Sequence, residues 1–337
     1  MTSDPRLTAL RDWLSARFAK RAFALSPASA DASFRRYFRV AFDDGGPSLI
    51  AMDAPPDKED CRPFIHEAEL FAATGAHVPE LHAQSIEQGF LLLEDLGDTT
   101  YLDKLHATEG VADTLYGAAL DALVAIQSAG NPNSLPPYDE ALLRRELDLF
   151  PDWYVKRHLR TELAPADAEV LGKAFDLLLA NNLSQPRVCV HRDYHSRNLM
   201  VCEPLPGVID FQDAVHGPIT YDLVSLLKDA YIRWDEERVI DWCVRYWEKA
   251  RKSGLPVSSD FGAFYRDFEW MGLQRHLKVA GIFARLCYRD GKERYLDDMP
   301  LVLDYIVKAC ARYREFDALT GLIARLHERE VKTGYTF

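Results

Sequence analysis

Three polar side chains lie close together in the sequence and suit one type of chemistry. Asp193 follows the apolar residues 188–190, Asn198 comes five residues later, and Asp210 follows a second apolar run at 207–209. A carboxylate can accept the proton of an attacking hydroxyl, and carboxylate and amide oxygens are ligands that Mg²⁺ takes beside water and substrate phosphate. Because phosphoryl transfer mainly requires the placement of metal, nucleotide and hydroxyl, the pattern predicts a phosphotransferase site.

These side chains are predicted to lie at one end of a set of short β-strands. The chain runs from the apolar segment 188–190 through a polar loop to an apolar pair at 199–200, then through a turn with Pro and Gly to 207–209. Short apolar runs bounded by turn residues are typical of buried strands. The pattern therefore indicates a strand, a loop, a strand, a turn and a further strand.

The same segment resembles a known superfamily. His191-Arg192-Asp193 with Asn198 is similar to the H-x-D-x-x-x-x-N catalytic loop of protein-kinase-like enzymes, and Asp210 with its neighbours is similar to their metal-binding Asp-Phe segment. A lone H-x-D or Asp-Phe is common in surface loops, whereas the full set in this order favours a kinase-like site. The resemblance implies ATP, Mg²⁺ and an α+β, bilobal protein-kinase-like fold.

In that fold a small, β-rich N-terminal lobe binds the nucleotide, and a larger, mainly helical C-terminal lobe carries catalysis and substrate binding. We expect the first over residues 1–96 and the second over 97–337. The chain has 337 residues, which is long for one compact domain and fits two lobes. ATP is then expected to lie between them.

Composition restricts the partners and the compartment. The 40 basic and 52 acidic residues give a net charge of −12, which disfavours nucleic acid as the main partner. Six cysteines occur without a C-x-x-C pair, which is typical of reduced thiols in a cytosolic protein. No apolar run approaches the ~18 residues of a membrane span. We therefore expect a cytoplasmic protein with no membrane or obligate protein partner.

The N-terminal lobe is predicted to contain a helix from Asp4, a Ser/Ala/Pro loop and a β-hairpin. The hairpin strands cover 33–40 and 49–52, and Asp-Asp-Gly-Gly at 43–46 predicts the turn between them. In kinase-like small lobes such a hairpin covers the nucleotide phosphates. Here there is no G-x-G-x-x-G, and Met52 stands where the resemblance implies a lysine.

Three arginines of the hairpin region are candidates for the missing positive charge. Arg35, Arg36 and Arg39 either contact the nucleotide phosphates or lie on a solvated strand face, and the sequence leaves both possibilities open.

A helix is predicted next, over residues 63–73, ending before Gly75. It resembles the small-lobe helix whose glutamate orders the phosphate-binding lysine. Without that lysine, Glu67 or Glu69 pairs with an arginine or is a surface acid, and the surface position is favoured.

The connector between the lobes is predicted at Glu94-Asp95-Leu96-Gly97, where the strand alternation ends and a glycine permits a turn. The resemblance implies that backbone groups of Glu94, Asp95 and Leu96 bind adenine. The Glu-Asp-Leu form is similar to that of aminoglycoside-phosphotransferase-like enzymes. A simple interdomain turn is the alternative, and it leaves the lobe boundary unchanged.

The C-terminal lobe offers candidates for acceptor binding. Residues 144–154 mix acids with aromatic side chains, including Asp148 and Trp153, and such a face suits a sugar ring with its hydroxyl rim. More often residues of this kind are packing aromatics and exposed acids. Arg275 lies on a long predicted helix over 261–287, where it either faces the cleft or belongs to the solvated helix face.

The catalytic loop holds further candidates. We predict that Asp193 orients and deprotonates the acceptor hydroxyl, and that His191 supports the loop from the core. Arg197 is expected to hold the base or contact the transferring phosphoryl group. Three more side chains of this region are acceptor or metal contacts, or merely loop and turn residues: His195, Gln212 and Asp213.

A narrower resemblance indicates the substrate. Residues 51–56, 61–64, 90–100 and 191–226 are similar to bacterial anomeric sugar kinases that phosphorylate N-acetylmuramate and N-acetylglucosamine at C1 during cell-wall recycling. In that subgroup a methionine in place of the small-lobe lysine does not imply an inactive enzyme. The resemblance implies an amino-sugar substrate and ATP as the partners.

Three alternatives have distinct signs. An aminoglycoside or other amino-alcohol kinase shares the catalytic residues and differs in its acceptor. A protein kinase is disfavoured because a short path to Asp222 replaces the long activation segment and the A-P-E sequence. A nucleotide-binding pseudokinase is suggested by the missing lysine, and it predicts ATP binding without turnover.

Overall fold

The computed structural model describes residues 4–19, 21–30, 34–129 and 134–334. Contacts divide the chain into two compact units. The first unit comprises Met1–Leu115 and Arg197–Asp213, and the second comprises Tyr116–Ser196 and Ala214–Phe337. The sequence places a boundary after Leu96, whereas this division also assigns residues 97–115 and 197–213 to the first unit.

The first unit is built on a five-stranded antiparallel sheet. Its strands are β1 (Phe23–Ala30), β2 (Arg36–Phe42), β3 (Leu49–Asp53), β4 (Leu81–Ser85) and β5 (Phe90–Glu94). They lie in the order β1-β2-β3-β5-β4. The predicted hairpin is present as β2 and β3, with Arg36 opposite Asp53 and Gly45 in the turn at φ +73°. Ser33 of the predicted strand lies outside the described residues.

Strand β1 was not expected from the sequence, which predicts a loop there. Serine, alanine and proline have little intrinsic preference for strands. The segment nevertheless pairs with β2 from Phe23 opposite Phe42 to Ala30 opposite Arg36, with a bulge between Pro27 and Ser29. Pairing and the packing of Phe23 against the core therefore outweigh local propensity.

Helix α1 (Pro5–Phe18) is joined to this sheet by packing and by charge. Leu10 and Leu14 are fully buried in the sheet's core cluster. The Asp4 carboxylate caps the helix and pairs with Arg36. Asp53, which is fully buried at the end of β3, accepts hydrogen bonds from Arg6 Nε at 3.0 Å and Arg36 Nε at 3.1 Å.

The remaining elements of the first unit include a small hairpin. Helix α2 (Cys61–Ala73) lies between β3 and β4 in the sequence, and α3 (Tyr101–Ala107) follows β5. Strands β7 (Leu199–Met200) and β8 (Gly207–Val208) pair with each other. The hairpin is bridged to His77 through Gly207 and to Thr100 through Met200. These bridges explain why residues 197–213 group with the N-terminal part of the chain.

The second unit is mainly helical. Its helices are α4 (Ala112–Ala129, which begins in the first unit), α5 (Glu140–Leu147), α6 (Pro165–Ser184), α7 (Tyr221–Leu227), α8 (Glu236–Lys252), α9 (Phe261–Asp290), α10 (Met299–Arg312) and α11 (Asp317–Gly334). Strands β6 (Arg187–Val190) and β9 (Val215–Pro218) pair antiparallel. Short 3₁₀ helices cover Glu293–Leu296 and Arg314–Phe316.

One predicted helix is interrupted. The sequence predicts a single helix over 139–158, whereas the structure has α5 and then a π-helix over Phe150–His158. Pro151 lacks the N–H that would continue the α-helical pattern. At the same place α9 comes very close, because a Cβ added to Gly281 would lie 2.4 Å from the carbonyl carbon of Leu149.

The long helix α9 is the centre of the second unit, and it is buried over most of its length. Among the described helices, none combines the length and the apolar composition that a bilayer crossing requires. The α+β class predicted from the sequence is confirmed by the antiparallel sheet of the first unit and the helices of the second.

Candidate active site

The loop that carries Asp193 begins where β6 ends, and a buried carboxylate holds its backbone. Asp222, in the first turn of α7, accepts the backbone N–H of His191 at 2.7 Å and of Arg192 at 2.9 Å. His191 is fully buried, and its Nδ1 accepts the backbone N–H of Asp193 at 3.2 Å. Arg192 has φ +77°, a conformation rare for a residue with a side chain. Asp222 and His191 therefore fix the path of the loop.

The charge on Asp222 depends on these contacts. Burial and the nearby carboxylate of Asp193 raise the pKa of Asp222, the two backbone N–H groups and Arg275 lower it, and the net value is about 7. The ionised form is the better hydrogen-bond acceptor.

The other end of the loop is anchored separately. Asp229 accepts the backbone N–H of Ser196 at 3.0 Å and also its hydroxyl. It accepts the N–H of Tyr231 at 3.2 Å as well. His195 is buried, and its ring meets that of Tyr231 edge-on at 5.5 Å between centroids.

A buried cluster of opposite charges lies behind the loop. Glu146 of α5 pairs with Arg192 at 2.6 Å and with Lys278 of α9 at 2.8 Å, and it accepts the hydroxyl of Tyr138. Lys278 also donates to the hydroxyl of Tyr221 at 2.8 Å. The two cations outweigh the effect of burial and hold the pKa of Glu146 below its usual value.

Sequence reasoning missed Glu146, although a signal was present. It lies three residues after Leu143 and four before Phe150, both fully buried, so it falls on the apolar face of its helix. An acid at such a position requires a buried counter-charge. Its partner Lys278 comes from a helix more than 130 residues away in the chain.

This surrounding charge acts on Asp193. Burial alone would raise the pKa of the Asp193 carboxyl, but Lys278, His195, Arg275 and Arg192 together hold it below its usual value. Asp193 is therefore ionised at neutral pH and able to accept a hydrogen bond from a hydroxyl. Every residue of this arrangement belongs to the second unit.

The two predicted metal ligands lie together in the first unit. Asn198 Nδ2 donates to Asp210 Oδ2 at 3.3 Å, and the backbone N–H of Ile209 donates to the carbonyl of Asn198 at 3.1 Å. Gln212 Nε2 donates to Asp210 Oδ1 at 2.8 Å. Asp210 has φ +66°, and strained backbone of this kind is frequent at functional sites.

The donor set fits Mg²⁺. It consists of one carboxylate and one amide, both hard oxygen ligands. Across the described ranges there is no group of three or more acidic, His or Cys side chains that could hold a metal ion. Mg²⁺ is often bound by one or two protein carboxylates with water and phosphate completing the shell.

A pocket of about 410 Å³ adjoins this pair in the first unit. Its lining includes Arg35, Met52, Phe64, Gln212 and Asp213. Phe64 of α2 packs on Phe211, the neighbour of Asp210, with ring centroids 5.0 Å apart. The pocket therefore combines an apolar wall with charged and amide groups beside the candidate metal ligands.

The three candidate arginines differ in their contacts. Arg36 pairs with Asp53 and Asp4, and Arg39 Nε lies 2.6 Å from Asp95 Oδ2. Of the three, only Arg35 lines the pocket that also contains Met52. The pairs of Arg36 and Arg39 stabilise the first unit. Because Arg35 lines the pocket, it is positioned to meet a ligand anion there.

The expectation that Glu67 is a surface acid is wrong. Its side chain is 5% exposed, because it falls on the buried face of α2 with Phe64 and Phe71. Burial raises the pKa of Glu67 to about 7, with a smaller contribution from Asp213 and an opposing one from His66. Glu69, in contrast, is exposed.

The connector after β5 is shaped by its own side chains. The Asp95 carboxylate accepts from Arg39, from the Ser48 hydroxyl at 2.6 Å and from the backbone N–H of Gly97 at 3.0 Å. Leu96 is buried, and Glu94 lies 3.5 Å from His77 Nε2. Because the Asp95 side chain has these partners, any ligand contact of the connector would fall to its backbone.

The remaining predicted site residues are distributed over both units. Arg197 belongs to the first unit, where its charge acts on Asp103. Asp148 ends α5 and is half-buried, with its pKa raised by burial. Trp153 is half-buried in the π-helix. Arg275 is almost completely buried near Asp193.

Comparisons with known proteins identify the family of the chain. Residues 24–255 match a family described as the phosphotransferase enzyme family. The chain is 52% identical to an N-acetylmuramate/N-acetylglucosamine kinase of Pseudomonas aeruginosa, over 97% of this chain and 98% of that protein. A protein of the same description from Neisseria meningitidis serogroup B is 47% identical, again over 97% and 98%.

Solved structures share the fold at low sequence identity. A choline/ethanolamine kinase family protein from Mesorhizobium loti has a TM-score of 0.60 at 14% identity, covering 94% of this chain and 99% of the other. An ADP-bound aminoglycoside phosphotransferase has a TM-score of 0.56 at 16% identity, covering 89% and 98%. These likenesses confirm the predicted kinase-like fold.

Proposed function

The chain belongs to the phosphotransferase enzyme family, and on this premise we propose that it transfers the γ-phosphoryl group of ATP to the C1 hydroxyl of N-acetylmuramate and N-acetylglucosamine. The observation that carries the proposal is the 52% identity, over nearly the full length of both chains, to a kinase named for these two sugars. A role in the recycling of cell-wall amino sugars follows from the same substrates.

The chemistry proposed for Asp193 is the acceptance of a proton. As the acceptor oxygen forms its bond to the γ-phosphorus, its proton passes to the Asp193 carboxylate, and the bond from phosphorus to the β–γ bridging oxygen breaks. The products are a sugar 1-phosphate and ADP. Because the surrounding cations keep Asp193 ionised, it is ready to orient the hydroxyl before any proton moves.

Asn198 and Asp210 are the residues that would hold Mg²⁺. When bound, the ion would neutralise charge on the phosphate oxygens. Gln212 and the φ +66° backbone fix the Asp210 carboxylate independently of any ligand.

We assign the missing small-lobe cation to Arg35, since of the three candidates it lines the pocket that also contains Met52 and Gln212, the residue that donates to Asp210. Replacing Arg35 by Gln should raise the KM for ATP by roughly 10-fold, the loss of one charged hydrogen bond. The matched control is Arg62→Gln, at an arginine whose side chain is 73% exposed and pairs with Asp60 at 3.6 Å. Equal ATP KM values for the two variants would remove Arg35 from the nucleotide site.

The function is tested by a coupled ADP-release assay across amino sugars, aminoglycosides and amino alcohols, with ATP and Mg²⁺. We expect turnover with N-acetylmuramate and N-acetylglucosamine. Phosphorylation at C1 also blocks the reducing end, so reducing sugar should disappear in step with ADP formation. ADP release with reducing power retained would place the phosphate on another hydroxyl.

Other acceptors would identify other functions. Turnover of aminoglycosides or amino alcohols without turnover of the sugars would assign the chain to that class of kinase. ATP binding measured by calorimetry, with no turnover of any acceptor, would identify a nucleotide-binding pseudokinase, as the methionine at position 52 suggests.

A further inference from the structure

Arg275 is a buried cation with an unsatisfied hydrogen-bond donor among the residues that the structure describes. Its side chain is 3% exposed, and its Nη1 atom is sealed from solvent with no acceptor within the described ranges. Arg275 also has no ion pair at salt-bridge distance there. Arginine stays protonated at any ordinary pH and carries five N–H donors. A guanidinium buried in this way is costly unless a ligand supplies the missing acceptor.

The neighbouring acids already have donors of their own. Asp193 and Asp222 are close enough for their charges to interact with Arg275. Asp222 receives two backbone N–H groups. The remaining acid of the cluster, Glu146, pairs with Arg192 and Lys278. The charge of Arg275 therefore acts on Asp193 and Asp222, while its Nη1 atom has no acceptor in the described part of the chain.

The Tyr305 hydroxyl, on α10, is a second buried polar group near Arg275. In the part of the chain that the structure describes, this hydroxyl has no hydrogen-bond partner. The Tyr305 ring stacks on that of His276, the residue after Arg275, with centroids 4.6 Å apart, and the charge of Arg275 acts on its hydroxyl. Two groups that can donate, from adjacent helices, thus lie together without an acceptor.

We propose that Arg275 and Tyr305 bind a carboxylate on the acceptor sugar, and so determine the affinity for acidic over neutral amino sugars. The inference rests on the proposed function. A guanidinium fork matches a carboxylate in a bidentate arrangement, and a tyrosine hydroxyl adds a third donor. Of the two sugars, N-acetylmuramate carries a carboxylate on its lactyl ether, whereas N-acetylglucosamine has a hydroxyl at the same carbon.

The neutral sugar is an internal control for the first variant. Arg275→Gln should raise the KM for N-acetylmuramate by roughly 10- to 100-fold, the range for lost hydrogen bonds to a charged group. Loss of a charge near Asp193 should change kcat by the same factor for both sugars. The readout is therefore the ratio of the two KM values, because N-acetylglucosamine offers no anion to Arg275 and its KM should stay within about threefold.

A second variant removes only one oxygen atom. Tyr305→Phe should raise the KM for N-acetylmuramate by about 3- to 10-fold and leave the KM for N-acetylglucosamine unaffected.

The matched control for Arg275→Gln is Arg285→Gln. Arg285 is a half-buried arginine ten residues further along α9 that interacts with Arg289 and Asp290. This control variant should behave as the wild type toward both sugars.

The other outcomes overturn the inference in recognisable ways. An equal rise in KM for both sugars would show a role in the shape of the site. An equal loss of kcat on both sugars with unchanged KM values would show that Arg275 acts only on the reacting groups around Asp193. A wild-type enzyme that turns over neither sugar would refute the proposed function. Calorimetry without ATP would then still test the anion site, since preferential binding of N-acetylmuramate supports it and equal binding of the two sugars refutes it.

Discussion

Replacement of Asp193 by Asn is expected to lower kcat by about 10²- to 10⁴-fold, the contribution of a positioned general base. The amide keeps the size of the side chain but cannot accept the proton of the acceptor hydroxyl. ATP binding should be nearly unchanged, because the candidate metal ligands and Arg35 belong to the first unit and Asp193 to the second. Steady-state turnover and calorimetric ATP binding measure the two effects separately.

The control for this variant is another Asp→Asn change in the same unit. Asp241 on α8 is half exposed and pairs with Arg245 at 2.8 Å. Asp241→Asn should retain the wild-type kcat, since an exposed pair contributes little. A near-native kcat for Asp193→Asn would show that this residue is not the base.

The second large effect is on stability. Glu146→Gln should lower the free energy of unfolding of the second unit by about 3–5 kcal/mol, because it leaves two buried cations, Arg192 and Lys278, without their counter-charge. Five of the six tryptophans belong to that unit, so fluorescence in a urea titration reports mainly on it. Turnover should fall as well, since Arg192 directly precedes Asp193.

Two comparisons make this result specific. Glu162→Gln removes one partner of an exposed pair, Lys156 and Glu162, and should cost less than about 1 kcal/mol. The double variant Glu146→Gln, Lys278→Met should recover part of the lost stability, because one of the uncompensated cations is then removed. A loss for Glu146→Gln no larger than that for Glu162→Gln would contradict the counter-charge role.

The sequence predicts much of the fold, because helices and strands leave a local period. The amphipathic pattern over 236–252 predicts helix α8 with the limits that the structure shows, and the β2–β3 hairpin follows from its Gly-containing turn. Strand β1 could not be predicted in this way, since its Ser, Ala and Pro residues form a strand only by pairing with β2. The π-helix depends on the close approach of α9 at Gly281, a contact between distant parts of the chain.

The candidate site likewise contains residues that a local sequence pattern predicts and residues that only distant contacts bring together. Asp193, Asn198 and Asp210 are linked by spacing within one segment, so their types and order were enough to single them out. Glu146 and Lys278 come together only in the folded second unit. The spacing of the apolar neighbours places both Glu146 and Glu67 on the buried faces of their helices, as the structure shows. This period is therefore the local signal for both residues.

The surroundings of the candidate arginines can be known only from the folded structure. The sequence left Arg35, Arg36 and Arg39 equivalent, and the lining of the pocket beside Met52 distinguishes Arg35. For Arg275 the sequence allowed a cleft position or a solvated face, whereas the structure buries it, with no acceptor for its Nη1 atom among the described residues.

The attachment of α1 to the sheet bears on how this protein can be dissected. The family match begins at residue 24, after α1 has ended. A fragment trimmed to that limit would lose Leu10 and Leu14 from the apolar cluster and Arg6 from the buried Asp53. The segment that matches the family is therefore shorter than the segment that is expected to fold, and a truncated protein should retain α1.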